Sequence, residues 1–335
     1  MNDTRKRRPT LQDIADLTGV TKMTVSRYLR DPSAVAEGTR ERIAAAVEEL
    51  GYIPNRAPDM LSNATSKAIG ILIPSLSNQV FSAVIHGIEA VTRPAGYQTL
   101  LAHYGYSPER EEEQVASLLS YNVDGLILSD TQHTERTRKM IATAGIPVVE
   151  TMDLPLSPID MVVGMDHRAA ARAMVTEMLR RGRRKVIYLG ARLDVRTQLR
   201  MEGYYQAMAD FGLTGQHLLT EQSSSFTLGG ELLAQAMARF PDLDGLFCTN
   251  DDLAVGALLQ CQARWIPVPQ QVAIAGSNAL DIGHAMTPKL ASIVPPREAS
   301  GREAAIMLLA RLGGAALPER CKDMGFSLYE GESLG

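Results

Sequence analysis

Along the first fifty positions apolar residues recur at helical spacing, and from Ala68 onward they come in short unbroken runs, so the hydrophobic period changes partway along the chain. In the first segment Thr10 and Asp13 stand three apart like a capping box, Ile14, Ala15 and Leu17 follow, and Gly19 closes the run. Thr21 is placed to cap a second short helix. Its Val25 and Leu29 share one face and leave Lys22, Met23, Ser26 and Arg27 largely on the other. Ile43, Val47 and Leu50 mark a third helix that Gly51 and Pro54 end. Two helices joined by a glycine-containing turn form a helix-turn-helix. With the third, they predict a small three-helix domain over residues 1–51.

Residues 52–66 read as a hinge and linker. The stretch NRAPDMLSN is too short and polar to hold a helix by itself, although it carries the large apolar Leu61. Beyond it the runs AIGILIP, QTLLAHY, DGLILS, IPVVE, RKVIYLG, DGLFCTN and QVAIAGS alternate with longer stretches of helical spacing. Such alternation predicts βαβ units, an α/β fold with parallel sheets between helices. Residues 67–335, roughly 270 positions, are long for one doubly wound unit, so two similar lobes are predicted. DGLIL at 124–128 and DGLFC at 244–248 read as a weak pseudo-repeat, one strand per lobe.

Of 335 residues 45% are hydrophobic and 21% charged, enough to bury a sizeable core. The net charge of −4 does not itself point to nucleic acid. The average hides an asymmetry, since Arg5, Lys6, Arg7, Arg8, Lys22, Arg27 and Arg30 face only Asp3, Asp13 and Asp16 within the first thirty positions. Three scattered cysteines, Cys248, Cys261 and Cys321, do not form a disulfide framework and point to a reducing compartment. The basic start leads into PTLQD, not into an apolar run with a cleavage site, and no apolar stretch is long enough to span a membrane. A cytoplasmic protein is expected.

Enzyme signatures are missing: no phosphate loop, no H-E-x-x-H, no C-x-x-C and no G-x-S-x-G. AGSNA at 275–279 lacks the second glycine and reads as a strand-end turn, and the six histidines show no ligand spacing. No catalytic residue, metal or cofactor is expected. The stretch GVTKMTVSR at 19–27 differs, because residue type, spacing and local structure agree. A helix N-terminus favours phosphate, and Thr21, Thr24 and Ser26 add hydroxyl donors. Lys22, Met23 and Arg27 would project toward base edges, where arginine reads guanine through two hydrogen bonds and methionine makes apolar contact. The bland alternative is an ordinary solvated amphipathic helix.

LQDIADLTGVTKMTVSRYL and VAEGTRERIAAAVEELGYIPNRAPDMLS together resemble the N-terminal region of LacI/GalR-type repressors, and CTNDDLAVGAL, VAIAG and LASIVPPRE resemble that family's effector-binding body. The likeness spans nearly the whole chain. IPNRAPDMLSNATS, LAHYGY, YLGARLD and EQSSS look most like the family's gluconate-utilisation branch. The resemblance implies a two-lobed body like that of periplasmic binding proteins, and a homodimer on a pseudo-palindromic double-stranded operator. By position it makes Lys22, Met23 and Arg27 major-groove readers, and Thr10, Thr24, Ser26, Thr39 and Tyr52 phosphate contacts. Asn55 and Leu61 become hinge contacts, with Leu61 wedging a minor-groove base step. No leucine heptads follow the last strand, so a tetramerising helix is not expected.

For the effector, Asn250 follows a strand at a carboxyl end where α/β sheets bind ligands, and Arg200 matches the family's effector-contacting arginine. Phe81 matches a cleft-lining aromatic, and Glu150 at the end of IPVVE is expected to face the same region. Sugar-responsive relatives carry an aspartate after VAIAG, where this chain reads Ser277-Asn278, a change that would repel an anion less. The expected ligand is a sugar acid, gluconate or a close relative. Alternatives are a regulator answering a neutral sugar or nucleoside, a solute-binding protein, and a sugar-processing enzyme.

Overall fold

The computed structural model describes residues 7–55 and 65–335. They fall into two compact units, Met1–Ser66 and Lys67–Gly335. In the first, α1 (Leu11–Thr18) begins where the Asp13 carboxylate accepts hydrogen bonds from the backbone N–H and hydroxyl of Thr10, both at 2.7 Å. It ends at Gly19, whose φ of 68° is open to glycine at little cost. Helix α2 (Lys22–Arg30) is capped by Thr21, which accepts from the Thr24 N–H at 3.3 Å. After a short 3₁₀ turn at Pro32–Ala34, α3 (Glu37–Leu50) runs to Gly51. Ile14, Ala15, Val25, Ile43 and Ala46 fill the core between the helices.

The second unit carries two six-stranded sheets. Strands β1 (Ala68–Ile73), β2 (Gln98–His103), β3 (Gly125–Leu128), β4 (Val148–Met152), β5 (Met161–Gly164) and β11 (Cys321–Asp323) form one, in the order β11-β5-β4-β3-β1-β2, all parallel. Strands β6 (Val186–Ala191), β7 (Gln216–Thr220), β8 (Gly245–Cys248), β9 (Ala273–Ser277), β10 (Ala291–Val294) and β12 (Ser327–Tyr329) form the other, in the order β12-β10-β9-β8-β6-β7. The two orders repeat each other. The pseudo-repeated strands β3 and β8 hold equivalent places beside β1 and β6, and the aspartates before them do the same work: Asp124 accepts from the Lys67 N–H at 3.0 Å, and Asp244 from the Arg184 and Lys185 N–H groups at 2.8 and 2.9 Å.

The inner strands of both sheets are buried on both faces, because alternate residues serve opposite layers. Ile69, Ile71 and Ile73 pack under α4 (Val80–Thr92) and α12 (Arg297–Leu312), while Leu72, Leu126 and Leu128 face α5 (Pro108–Ser120) and α6 (Glu135–Ala144). In the second lobe α7 (His167–Arg180) and α8 (Val195–Asp210) cover one face, and α9 (Phe226–Arg239) and α10 (Asp251–Ala263) the other, with the short α11 (Asp281–Ala285) following β9. The chain passes between lobes three times: after β5, after β10, and between β11 and β12. Helix α12 thus completes the first lobe from far along the sequence. It lies close against α4, where a Cβ on Gly301 would stand 2.1 Å from the Val84 carbonyl oxygen and one on Gly87 2.1 Å from that of Glu298.

Seven strands coincide with the runs read from the sequence. The other five escape that reading for physical reasons. Strands β11 and β12 are three-residue edge strands, β7 is an edge strand with three of its five residues exposed, and β5 and β10, four residues long like β3 and β8, lack the Asp-Gly turn that marks those two. The sheets are parallel as expected except at one edge, where β12 runs antiparallel to β10.

Candidate functional site

In the head, burial of Val25 fixes how α2 is turned. Lys22, Met23 and Arg27 are exposed, Met23 at 74%, while Thr24 and Ser26 are partly covered. A methionine so exposed amid cations has no packing role. Thr10 and Thr21 are exposed helix caps, Thr39 lies in the first turn of α3, and Tyr52 packs against the head core just beyond it. Asn55 is exposed, and Leu61 lies outside the described residues.

In the body, a cleft opens at the carboxyl ends of the strands of both lobes, as doubly wound sheets require. Phe81, Arg200, Asn250 and Asn278 converge on a cavity of about 50 Å³, joined by Asn78, Tyr106 and Ser224. A larger cavity of about 190 Å³ adjoins it, sharing Tyr106, Arg192, Asp194 and Arg196 as walls. Asn250 is held through its side chain and Asn278 through its backbone. Asn250 caps α10 by accepting from the Leu253 N–H at 3.2 Å, and its amide donates to Ser224 Oγ at 2.7 Å. Asn278 has a φ of 118°, a costly backbone state outside glycine. It is held by its N–H to Ile293 O at 2.9 Å and by the Arg297 guanidinium on its carbonyl.

Arg200 is 7% exposed. Its Nη1 donates to Thr249 O at 2.7 Å and its Nη2 to His167 Nδ1 at 3.2 Å, whereas Nε has no hydrogen-bond partner. Burial pulls its pKa down, and among the described residues no carboxylate forms an ion pair with it. Burial and the Arg200 charge also lower the pKa of His167, so the ring is neutral with its proton on Nε2, 3.0 Å from Asp153 Oδ1. Burial alone would raise the pKa of Asp153, but Arg196 and His167 hold it well below the carboxylate range. Arg196 bridges the lobes, with Nε 2.9 Å from Asp153 Oδ1 and Nη2 2.6 Å from Ser129 O. The Arg192 guanidinium lies 3.7 Å over the Tyr106 ring. The first lobe's anion is thus matched and the second lobe's Arg200 is not.

The expectation for Glu150 does not hold. It lies outside the cleft wall, 0% exposed, with Oε2 accepting from the Ile159 N–H at 2.5 Å and Oε1 3.4 Å from His133 Nε2. The reason is strand alternation: Glu150 shares the face of Val148, toward the α5 side, away from the strand end. Sequence reading missed Arg192, Arg196, Asp153 and Tyr106. A signal was present for one: Arg196 and Arg200 stand four apart on α8 and so share a helix face.

The profile described as "Periplasmic binding proteins and sugar binding domain of LacI family" matches residues 66–320, and that of "Bacterial regulatory proteins, lacI family" matches residues 10–55. The HTH-type transcriptional regulator GntR of Escherichia coli (strain K12) is 56% identical over 330 residues, 98% of this chain and 100% of its own length. The chain belongs to the LacI family of DNA-binding transcriptional regulators. A solved LacI-family transcriptional regulator from Silicibacter pomeroyi has a TM-score of 0.91 at 34% identity, over 97% of this chain and 99% of its own. The transcription regulator GntR of Chromobacterium violaceum, 36% identical with a TM-score of 0.78, covers 79% of this chain and 98% of its own. The lacI-family regulatory profile covers the head that carries α2.

Proposed function

We propose that this regulator is a cytoplasmic repressor that binds a pseudo-palindromic operator as a homodimer and releases it when gluconate, or a closely related sugar acid, fills the cleft. Lys22, Met23 and Arg27 read bases, and Thr10, Thr21, Thr24, Ser26, Thr39 and Tyr52 hold phosphates. Asn55 and Leu61 act at the hinge. The observation that carries the effector assignment is Arg200: a buried cation with a spare Nε–H and no ion-paired carboxylate among the described residues, lining a cavity with Asn250, Asn278 and Phe81. A buried charge left unpaired is costly, and its planar fork matches a carboxylate. A neutral sugar or nucleoside would leave that charge unmatched. Asn278, where an aspartate would add a second negative charge, supports the same choice.

Release follows from linkage. An effector that favours the body state least compatible with operator binding weakens DNA binding by the same coupling energy with which DNA weakens effector binding. The test is titration of operator-bound protein with gluconate and with glucose, for wild type, Arg200→Ala and Asn278→Asp. Gluconate should release wild type. Arg200→Ala should lose the response by at least about tenfold while binding operator normally without ligand, and Asn278→Asp should weaken it. A wild type released by glucose alone, or an Arg200→Ala protein as responsive as wild type, would overturn the sugar-acid reading.

A further inference from the structure

Behind the cleft wall of the first lobe, three ionisable side chains form a line that the effector reading leaves unused. Glu150 on β4 approaches His133, in the loop between β3 and α6, and His133 approaches Glu111 on α5. His133 Nδ1 lies 2.9 Å from Glu111 Oε1, and its Nε2 lies 3.4 Å from Glu150 Oε1. All three side chains are buried. The end of the line is open: Glu111, 1% exposed, lines the larger cavity, and its Oε2 has no hydrogen-bond partner among the described residues. Beside it the Tyr104 hydroxyl donates to Asp130 Oδ2 at 3.0 Å.

Charge divides the cleft. Glu111, Asp130, Asp153 and Asp194 meet only Arg192 and Arg196 around the larger cavity. Arg192, Arg196 and Arg200 meet only Asp194 around the smaller. A buried carboxylate oxygen without a donor is expensive, and a ligand hydroxyl removes that cost. A second carboxylate there would set two like charges against each other in a desolvated space.

We infer that Glu111 makes the cleft selective for polyhydroxy acids with one terminal carboxylate, accepting a hydroxyl remote from Arg200 and rejecting a dicarboxylic acid of the same length. The inference rests on the reading that Arg200 holds the ligand's carboxylate. His133 and Glu150 are positioning residues. Burial alone would lower the pKa of His133, but its contacts with Glu111 and Glu150 outweigh burial and push it up to about 9. The ring is therefore a cation at neutral pH that engages Oε1 and leaves Oε2 for the ligand. Glu150 reaches the effector only through this chain.

The test is calorimetric titration of the full-length protein with gluconate and with glucarate, which differs in carrying a carboxylate at each end. Wild type should bind gluconate at least tenfold tighter than glucarate. In Glu111→Gln that ratio should fall at least tenfold, because the amide tolerates a carboxylate. His133→Gln should shift the ratio the same way by a smaller factor, which general loosening of the fold would not do, and it carries the test should Glu111→Gln unfold. A wild type that does not discriminate, or variants that keep the wild-type ratio, would overturn the inference. If wild type and Glu111→Gln show the same ratio while Arg200→Ala loses both acids, this inference alone falls. If wild type binds neither acid, the sugar-acid reading falls with it.

Discussion

Glu150 shows how one residue's orientation decides its role. Its position at the end of an apolar run was legible in the sequence, but its face was not, because a strand buried on both sides gives no polar alternation to read. What fixes it is the Ile159 N–H donating to Oε2 at 2.5 Å, with His133, 17 positions away, 3.4 Å from Oε1. The contacts of His133, with Glu111 first and Glu150 second, have a measurable sign. The folded pKa of His133, about 9, lies above its ordinary value, so the stabilisation is fully present below pH 6.5 and drains away as pH rises through 9. Wild type should therefore lose on the order of 2 kcal/mol between pH 6.5 and 9 that His133→Gln does not lose. Thermal midpoints of both proteins across that range check it, and parallel pH profiles would contradict the ion-pair account.

Among the elements, helices of the head were read nearly to the residue, since Thr10, Gly19, Thr21 and Gly51 are local stop and start signals that act within one turn. The packing of α12 on α4 was not, because the two helices are more than 200 positions apart and meet through glycines that look unremarkable alone. A methyl group at Gly301 would collide with the Val84 carbonyl, which is backbone and cannot turn aside. Gly301→Ala should destabilise the body by about 2 kcal/mol. Gly313→Ala, at the end of the same helix where a Cβ meets atoms no nearer than 3.5 Å, should be close to neutral. Thermal unfolding of the two variants separates a specific close approach from a general intolerance of alanine.

For the whole molecule, the homodimer proposed above is the property to test. Sedimentation at micromolar concentration should give a dimer, and halving the palindrome should weaken operator binding far more than scrambling its centre. A stable tetramer, or a monomer that binds the full operator tightly, would contradict this. The two-lobed plan was legible from the run spacing and the DGLIL and DGLFC echo, whereas the three passages between lobes were not, since nothing local marks which sheet a strand will join. Those passages also set the order in which the protein can be made. The strands under α12, of which β5 ends at Gly164, are complete more than about 130 positions before the helix that covers them begins at Arg297, so at roughly 10 residues per second that face waits at least about 13 s on the ribosome with apolar surface uncovered. Translation that stalls after Val294 has made neither α12 and β11 of the first lobe nor β12 of the second, and so releases two unfinished lobes instead of one complete lobe and one absent.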